Sequence, residues 1–243
     1  LRDMKRLNCV LSRFHWQQDD AVFEFCDRNG MLLQEEIPAW GPKTMDGDLE
    51  EIQALQTREM ILAHYNHPSI YAWGLCNEIG GHREIAHEFV QNGIAFAREL
   101  DPYRSLTYAS NSLQSAPEKD ASALVDFLEW NDYYETWYGG TVADAAVNIE
   151  RIAEAFPEKS LVISEYGLCE STPKHPRGDE HRIRILRTNT NAYRNAPCVA
   201  GAIFFDYNDY RTHIGDKGQG PFKQRVHGVV ELLGYRKPSW EVL

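Results

Sequence analysis

The chain has 243 residues, 43% of them apolar, and 25 Lys and Arg against 36 Asp and Glu leave a formal charge of −11. That balance argues against a nucleic-acid phosphate backbone or an anionic membrane surface as partner and suits a neutral substrate. The length suffices for one large core, and no run approaches the ~20 apolar residues of a membrane-spanning helix.

Residues 1–7 have the helical spacing of Leu and Met, so the chain is expected to open within a helix, and no signal-peptide pattern is visible. Residues 8–13 predict a strand. Asp19 or Asp20 is placed to cap a helix that Asn29 and Gly30 stop. Residues 31–34 predict a strand ending at Glu35 and Glu36, and a loop with Trp40, Gly41 and Pro42 leads to a helix over 49–65, ended by His67 and Pro68. The next run, 70–78, is unbroken and mostly apolar until Asn77 and Glu78, as expected of a strand buried on both faces. Then follow a helix over 83–100, strands over 106–110 and 125–131 with a polar, turn-like stretch between them, and a helix over 141–156. Residues 161–165 form a second β-branched run capped by a glutamate, Glu165. A helix over 179–195 with its arginines outward, a strand over 199–205, a glycine-rich loop and a short tail complete the chain.

Alternating strand and helix predicts right-handed βαβ units with seven parallel strands. No Gly-x-Gly-x-x-Gly follows any strand, so a dinucleotide fold lacks its phosphate loop and no cofactor is expected. The expected fold is α/β, a (β/α)8 TIM barrel with about seven of its eight strands, forming one domain over residues 1–243. The five cysteines, Cys9, Cys26, Cys76, Cys169 and Cys198, contain no CxxC pair and read as buried thiols. His175, His181, His213 and His227 lack the spacing of a metal set.

The strand ends carry the chemistry. A glutamate at the carboxyl end of a buried parallel strand lies where barrel enzymes keep their reactive groups, whereas inside the strand it would be an unpaired buried charge. Glu78 and Glu165 are therefore the candidate pair. Arg13, His15 and Trp16, then Glu36, Asn77, Ser110, Asn131, Tyr133, Tyr134, Tyr166, Asp206 and Tyr207 collect at the same ends. Carboxylates, amides, hydroxyls and aromatic rings together suit a carbohydrate.

His67-Pro68-Ser69-Ile70 followed by Trp73 and Asn77-Glu78 resembles the acid/base signature of family-two glycoside hydrolases, the group of β-galactosidases, β-glucuronidases and β-mannosidases. Residues 162–167 resemble their nucleophile motif, and Glu35-Glu36-Ile37-Pro38 their Asp-Glu-Ile-Pro. His15-Trp16 and the block Asn131, Tyr133, Tyr134, Trp137, Tyr138 match in the same order. The resemblance implies a retaining exo-β-glycosidase, β-galactosidase-like, with Glu165 as nucleophile and Glu78 as acid and base. It further implies Asn77 on the sugar 2-hydroxyl, Tyr133 or Tyr134 on the nucleophile, and His15, Glu36, Asn131, Trp137, Phe205 and Asp206 around the sugar. Read from the residues alone, Glu36 serves equally as a salt-bridge partner of Arg13, His15 as a hydrogen-bonded wall residue, and Trp40, Trp137 and Phe205 as packed core.

Two departures stand out. Phe205 occupies the place of an expected tryptophan. The Asn-x-Lys that grips a uronic carboxylate is missing near residues 223–228, which disfavours a glucuronidase, with Lys223 or Arg225 as substitutes. The resemblance leads one to expect that the family's β-sandwich domains and first barrel strand are absent from these residues, so the expected barrel has two strand edges, a template for homo-oligomerisation or for the chain's own termini. A different class of reading is a silent barrel that binds sugar weakly or self-associates. A two-glutamate endo-glycanase with a long open cleft is a third.

Overall fold

The computed structural model describes residues 1–41, 49–168, 178–212 and 223–243; Pro42, Cys169, His175 and His213 lie outside them. Its frame is a parallel sheet of seven strands paired in chain order: β1 (Leu11–Phe14), β2 (Leu32–Glu36), β3 (Ile70–Asn77), β4 (Ser105–Ser110), β5 (Leu128–Asp132), β6 (Leu161–Tyr166) and β7 (Val199–Phe204). Around it lie α1 (Arg2–Arg6), α2 (Asp20–Asn29), α3 (Leu49–His64), α4 (Glu84–Leu100), α5 (Val142–Ala155) and α6 (Gly178–Arg194). Each connection returns the chain to a neighbouring parallel strand, which curls the sheet into a nearly closed TIM barrel.

Local chemistry sets these elements. The Asp19 side chain accepts from Ala21 N at 2.9 Å to start α2, and Gly30 closes that helix at φ 64°. Thr141 and Asp144 form a reciprocal capping box on α5. β3 is apolar because both its faces are covered: Trp73, Leu75 and Cys76 are buried, and Trp73 Nε1 donates to Asp101 Oδ2 at 3.0 Å. One apolar core lies around β2, β3, α2, α3 and α4, the other around β5, β6, α5 and α6.

The barrel interior is polar, which hydrogen bonds across it reveal. Gln34 of β2 donates to Glu129 of β5 at 2.8 Å, and Arg13 of β1 reaches Asn77 of β3 and Glu165 of β6. Gly74 leaves room for this crowding, since a Cβ there would lie 2.8 Å from Glu36 Cβ and Cγ.

β1 and β7 face each other without a ladder among the described residues. The chain's ends meet in one cluster: Asp3 of α1 accepts from Tyr207 at 2.6 Å and pairs with Arg236, whose guanidinium lies 3.6 Å from the Trp240 ring centroid.

Several sequence-based expectations need correction. The strand expected over 125–131 begins only at Leu128, because Asp126 spends its carboxylate on Leu106 N and Arg98. The stretch between β4 and β5 is turn-like as expected, with two single turns, Pro117–Lys119 and Ala121–Leu124, around the buried Asp120. Arg182 of α6 is buried, not outward, donating to Val226 O at 2.9 Å and to Asp179 at 2.8 Å. Cys9 and Cys198 are half-buried. After β7 the chain also forms an antiparallel pair, β8 (Tyr210–Arg211) and β9 (Gln224–Arg225), before a final turn at Pro238–Val242.

Candidate active site

The carboxyl ends of β1, β2, β3, β5 and β6 converge on one hydrogen-bonded network. Arg13 is its centre, with a side chain only 3% exposed. Its Nη1 donates to Glu165 Oε1 at 2.8 Å, its Nη2 to Glu36 Oε2 at 3.0 Å and to Asn77 Oδ1 at 2.9 Å, and its Nε to Glu36 Oε2 at 3.1 Å. Asn131 Nδ2 donates to Asn77 Oδ1 at 3.1 Å and to Glu78 Oε1 at 3.0 Å. An unbroken chain of bonds therefore runs from Glu165 through Arg13, Asn77 and Asn131 to Glu78. Ser164 fixes the Asn131 amide by donating to its Oδ1 at 2.7 Å.

The two glutamates have the same side chain and opposite surroundings. Burial raises the Glu78 carboxyl, the nearby Glu165 charge raises it further, and bonds from Asn131 and Trp40 only partly offset this. Burial pushes Glu165 upward as well. There the charges of His15 and Arg13, with hydrogen bonds from Tyr133 and Arg13, outweigh burial and hold it below its ordinary value. Tyr133 OH donates to Glu165 Oε2 at 2.6 Å. Glu78 sits at φ 55°, a left-handed conformation uncommon for a side chain of its kind, with its N–H donating to Ala109 O at 2.9 Å.

The remaining candidates divide. His15 Nδ1 lies 3.1 Å from Glu36 Oε1 and its Nε2 3.4 Å from Glu165 Oε1, so it borders the carboxylates. Glu36 spends both oxygens on Arg13 and His15, the salt-bridge arrangement. Trp137 lies against Tyr133 with ring centroids 4.1 Å apart, and Phe205 lies between His15 and His227 at 6.0 and 4.9 Å. Trp137 and Trp40 are exposed rather than packed core. Tyr134 is not brought to the nucleophile: its hydroxyl accepts from Asn148 of α5 at 2.8 Å. Asp206 follows Phe205, and its buried Oδ1 has no hydrogen-bond partner among the described residues. Burial, with the Asp209 charge next, drives its carboxyl well above the usual range.

Sequence reasoning undervalued three residues. Arg13 was visible as a strand-end cation, but its role depends on partners up to 152 positions away. Trp40 donates its indole Nε1 to Glu78 Oε2 at 3.1 Å. His227 reaches the aromatic wall from the segment after β9, with Trp137 at 5.6 Å and Tyr210 at 6.0 Å. Among the described residues, no group of three or more His, Cys, Asp or Glu is placed to hold a metal ion, and no helix is long and apolar enough to cross a membrane.

A parallel barrel with carboxylates, amides and aromatic rings gathered at its carboxyl strand ends belongs to the enzyme-bearing class of this fold. Residues 2–174 match the TIM barrel domain of glycosyl hydrolases family 2, and the chain belongs to that family. A β-glucuronidase from Bacteroides fragilis is 32% identical over 254 aligned residues, covering 93% of this chain and 35% of the relative. A β-galactosidase from Thermoanaerobacterium thermosulfurigenes is 28% identical, covering 99% of this chain and 31% of its own length. The crystal structure of a β-galacturonidase of the family from Eisenbergiella tayi, bound to galacturonate, shares the fold with a TM-score of 0.87. It is 24% identical and aligns over 99% of this chain and 45% of that one. The chain thus spans about a third of the length of these curated relatives.

Proposed function

We propose that this single barrel is the catalytic unit of a retaining β-glycosidase that removes terminal β-linked sugars by double displacement. Glu165 attacks the anomeric carbon and forms a glycosyl ester, while Glu78 gives its proton to the departing oxygen. Glu78 then takes a proton from water as that water attacks the ester and frees Glu165. Asn77 holds the sugar 2-hydroxyl, and Tyr133 with Arg13 keeps the nucleophile ionised. The observation that carries this reading is the opposite electrostatic treatment of the two glutamates, which suits one to donate a proton and the other to attack.

For the sugar, a β-galactoside is the first choice, because the chain lacks the Asn-x-Lys of glucuronidases. A β-uronide is the second. It is favoured by the Arg225 guanidinium, 5.8 Å from the Trp137 ring centroid and 5.9 Å from that of Tyr210, and by the uronidase names among the relatives.

Incubation with 4-nitrophenyl β-galactoside, β-glucoside, β-mannoside, β-glucuronide and β-galacturonide, with Glu165→Gln as control, tests both the activity and the sugar. Release on none of them above the control would favour the silent, sugar-binding reading. We further propose that the exposed edge at β7, where Ala200 and Ala202 are open to solvent, joins copies of the chain. Sedimentation at micromolar concentration reads this, and a monomer overturns it.

A further inference from the structure

Glu78 holds two hydrogen-bond donors of unequal permanence. Oε1 accepts from Asn131, which is fully buried and tied down by Ser164 and Asn77. Oε2 accepts from the indole of Trp40, which is 41% exposed. The atoms that face Glu78, the Asn131 amide nitrogen and the Trp40 indole nitrogen, are donors only, so neither can receive a proton from it. A carboxyl that is to protonate a leaving oxygen must turn one oxygen toward that atom, and only the bond to Trp40 can be exchanged without dismantling the network. The backbone beneath the ring is fixed. Asn77 N donates to Ala39 O at 2.8 Å and Gly41 N donates to Asn77 O at 2.9 Å, so residues 39–41 continue β2 alongside the end of β3. Trp16 and Trp137, also exposed, lie beside His15 and Tyr133 on the Glu165 side.

We propose that Trp40 forms the leaving-group subsite: its N–H holds Glu78 Oε2 in the free protein, a bound glycoside displaces it, and the indole face then flanks an aglycone with a flat apolar face. The glycosidic oxygen takes the indole's place on Oε2, and the proton moves from that oxygen to the departing one. The freed indole stays beside the aglycone, where stacking favours aryl over small alkyl groups. Loss of the Trp40 donor on binding also removes one influence that keeps Glu78 acidic, so occupation of the subsite readies the acid. The assignment rests on Glu78 facing the aglycone, as in the glycosidase reading.

Calorimetric titration with the non-hydrolysable phenyl and methyl 1-thio-β-glycosides of one sugar tests the subsite without any need for turnover. The wild-type chain should bind the phenyl compound about two- to tenfold more tightly than the methyl one. Trp40→Phe should retain most of that ratio and Trp40→Ala should bring it near one, with methyl thioglycoside affinity changed little. A ratio unchanged in Trp40→Ala overturns the assignment, as does a wild-type ratio of one. Hydrolysis no faster than in Glu165→Gln would sink the glycosidase reading alone, because the binding ratio decides the role of Trp40 independently. In an active chain, Trp40→Phe should move the basic limb of kcat/KM upward in pH, because the indole bond that lowers the Glu78 pKa is lost; an unmoved limb would mean that the N–H does not hold Glu78 in the free protein, against the proposal.

Discussion

Arg13 Nη1 lies 2.8 Å from Glu165 Oε1, and the same guanidinium holds Glu36 with two of its nitrogens. One buried cation thus neutralises part of two buried carboxylates from different strands. Burial disfavours the Arg13 charge, yet Glu36 and Glu165 outweigh it and keep the group protonated.

Removing that cation should be costly. Arg13→Met strands two acidic groups in the interior and should lower stability by about 3–5 kcal/mol, the range for breaking a buried pair. Adding Glu36→Gln should restore part of the loss, because one of the stranded charges goes with it. Urea unfolding of the single and double variants reads the difference; equal stability of the two would show that Glu36 is not Arg13's principal counter-ion.

Tyr133→Phe removes the hydroxyl that donates to Glu165 Oε2. That bond lowers the Glu165 pKa, so its loss should raise it and move the acid limb of kcat/KM to higher pH. A charge-assisted bond of this kind is worth about 1.5–3 kcal/mol, so kcat should fall by roughly ten- to a hundredfold. Tyr134→Phe serves as the comparison and should leave the pH profile in place.

Glu78→Ala should depend on the leaving group. Loss of a general acid and base costs roughly 10²–10⁴ in rate. With 4-nitrophenol departing, which needs little protonation, the first step should survive and the second should limit turnover. Burst kinetics followed by rescue with azide would reveal this; equal loss for good and poor leaving groups would contradict it.

Stability should fall as pH rises. Burial lifts Glu35 to about 8, Glu129 to about 7 and Asp132 to about 6. A carboxyl with a raised folded-state pKa binds its proton more tightly in the native chain than in the unfolded one. Its contribution is complete below the unfolded value and is lost as pH climbs through the folded value. Thermal unfolding between pH 5 and pH 9 should show Tm declining, and Glu129→Gln should flatten the part of that decline below about pH 8. Each kcal/mol corresponds to about 2–4 °C for a chain of this size. A Tm that rises across that range would refute the account.

The framework was legible in the sequence because apolar runs ending abruptly in polar residues, at Asn77–Glu78 and Ser164–Glu165, are the mark of buried strands feeding one mouth. Tyr133 and Tyr134 could not be separated by position alone. Asn148, which draws the Tyr134 hydroxyl toward α5, becomes a neighbour only once the barrel closes. Arg13, Gln34 and Glu129 were opaque for the same reason. Their partners sit across the interior, and a polar residue within a short strand gives no sign of which opposing residue will satisfy it. Arg182 was misplaced because a helical arginine ordinarily points to water, whereas the carbonyl of Val226 and the Asp179 carboxylate recruit this one inward.

The left-handed backbone at Glu78 carries a consequence for how this sequence could drift. Strain of about 1–3 kcal/mol attends a residue with a Cβ in such a region, and glycine would relieve most of it. Glu78→Gly should therefore give a chain at least as heat-resistant as the parent. The fold itself therefore sets no barrier to losing this acid, and retaining it costs the chain heat resistance that a glycine would return.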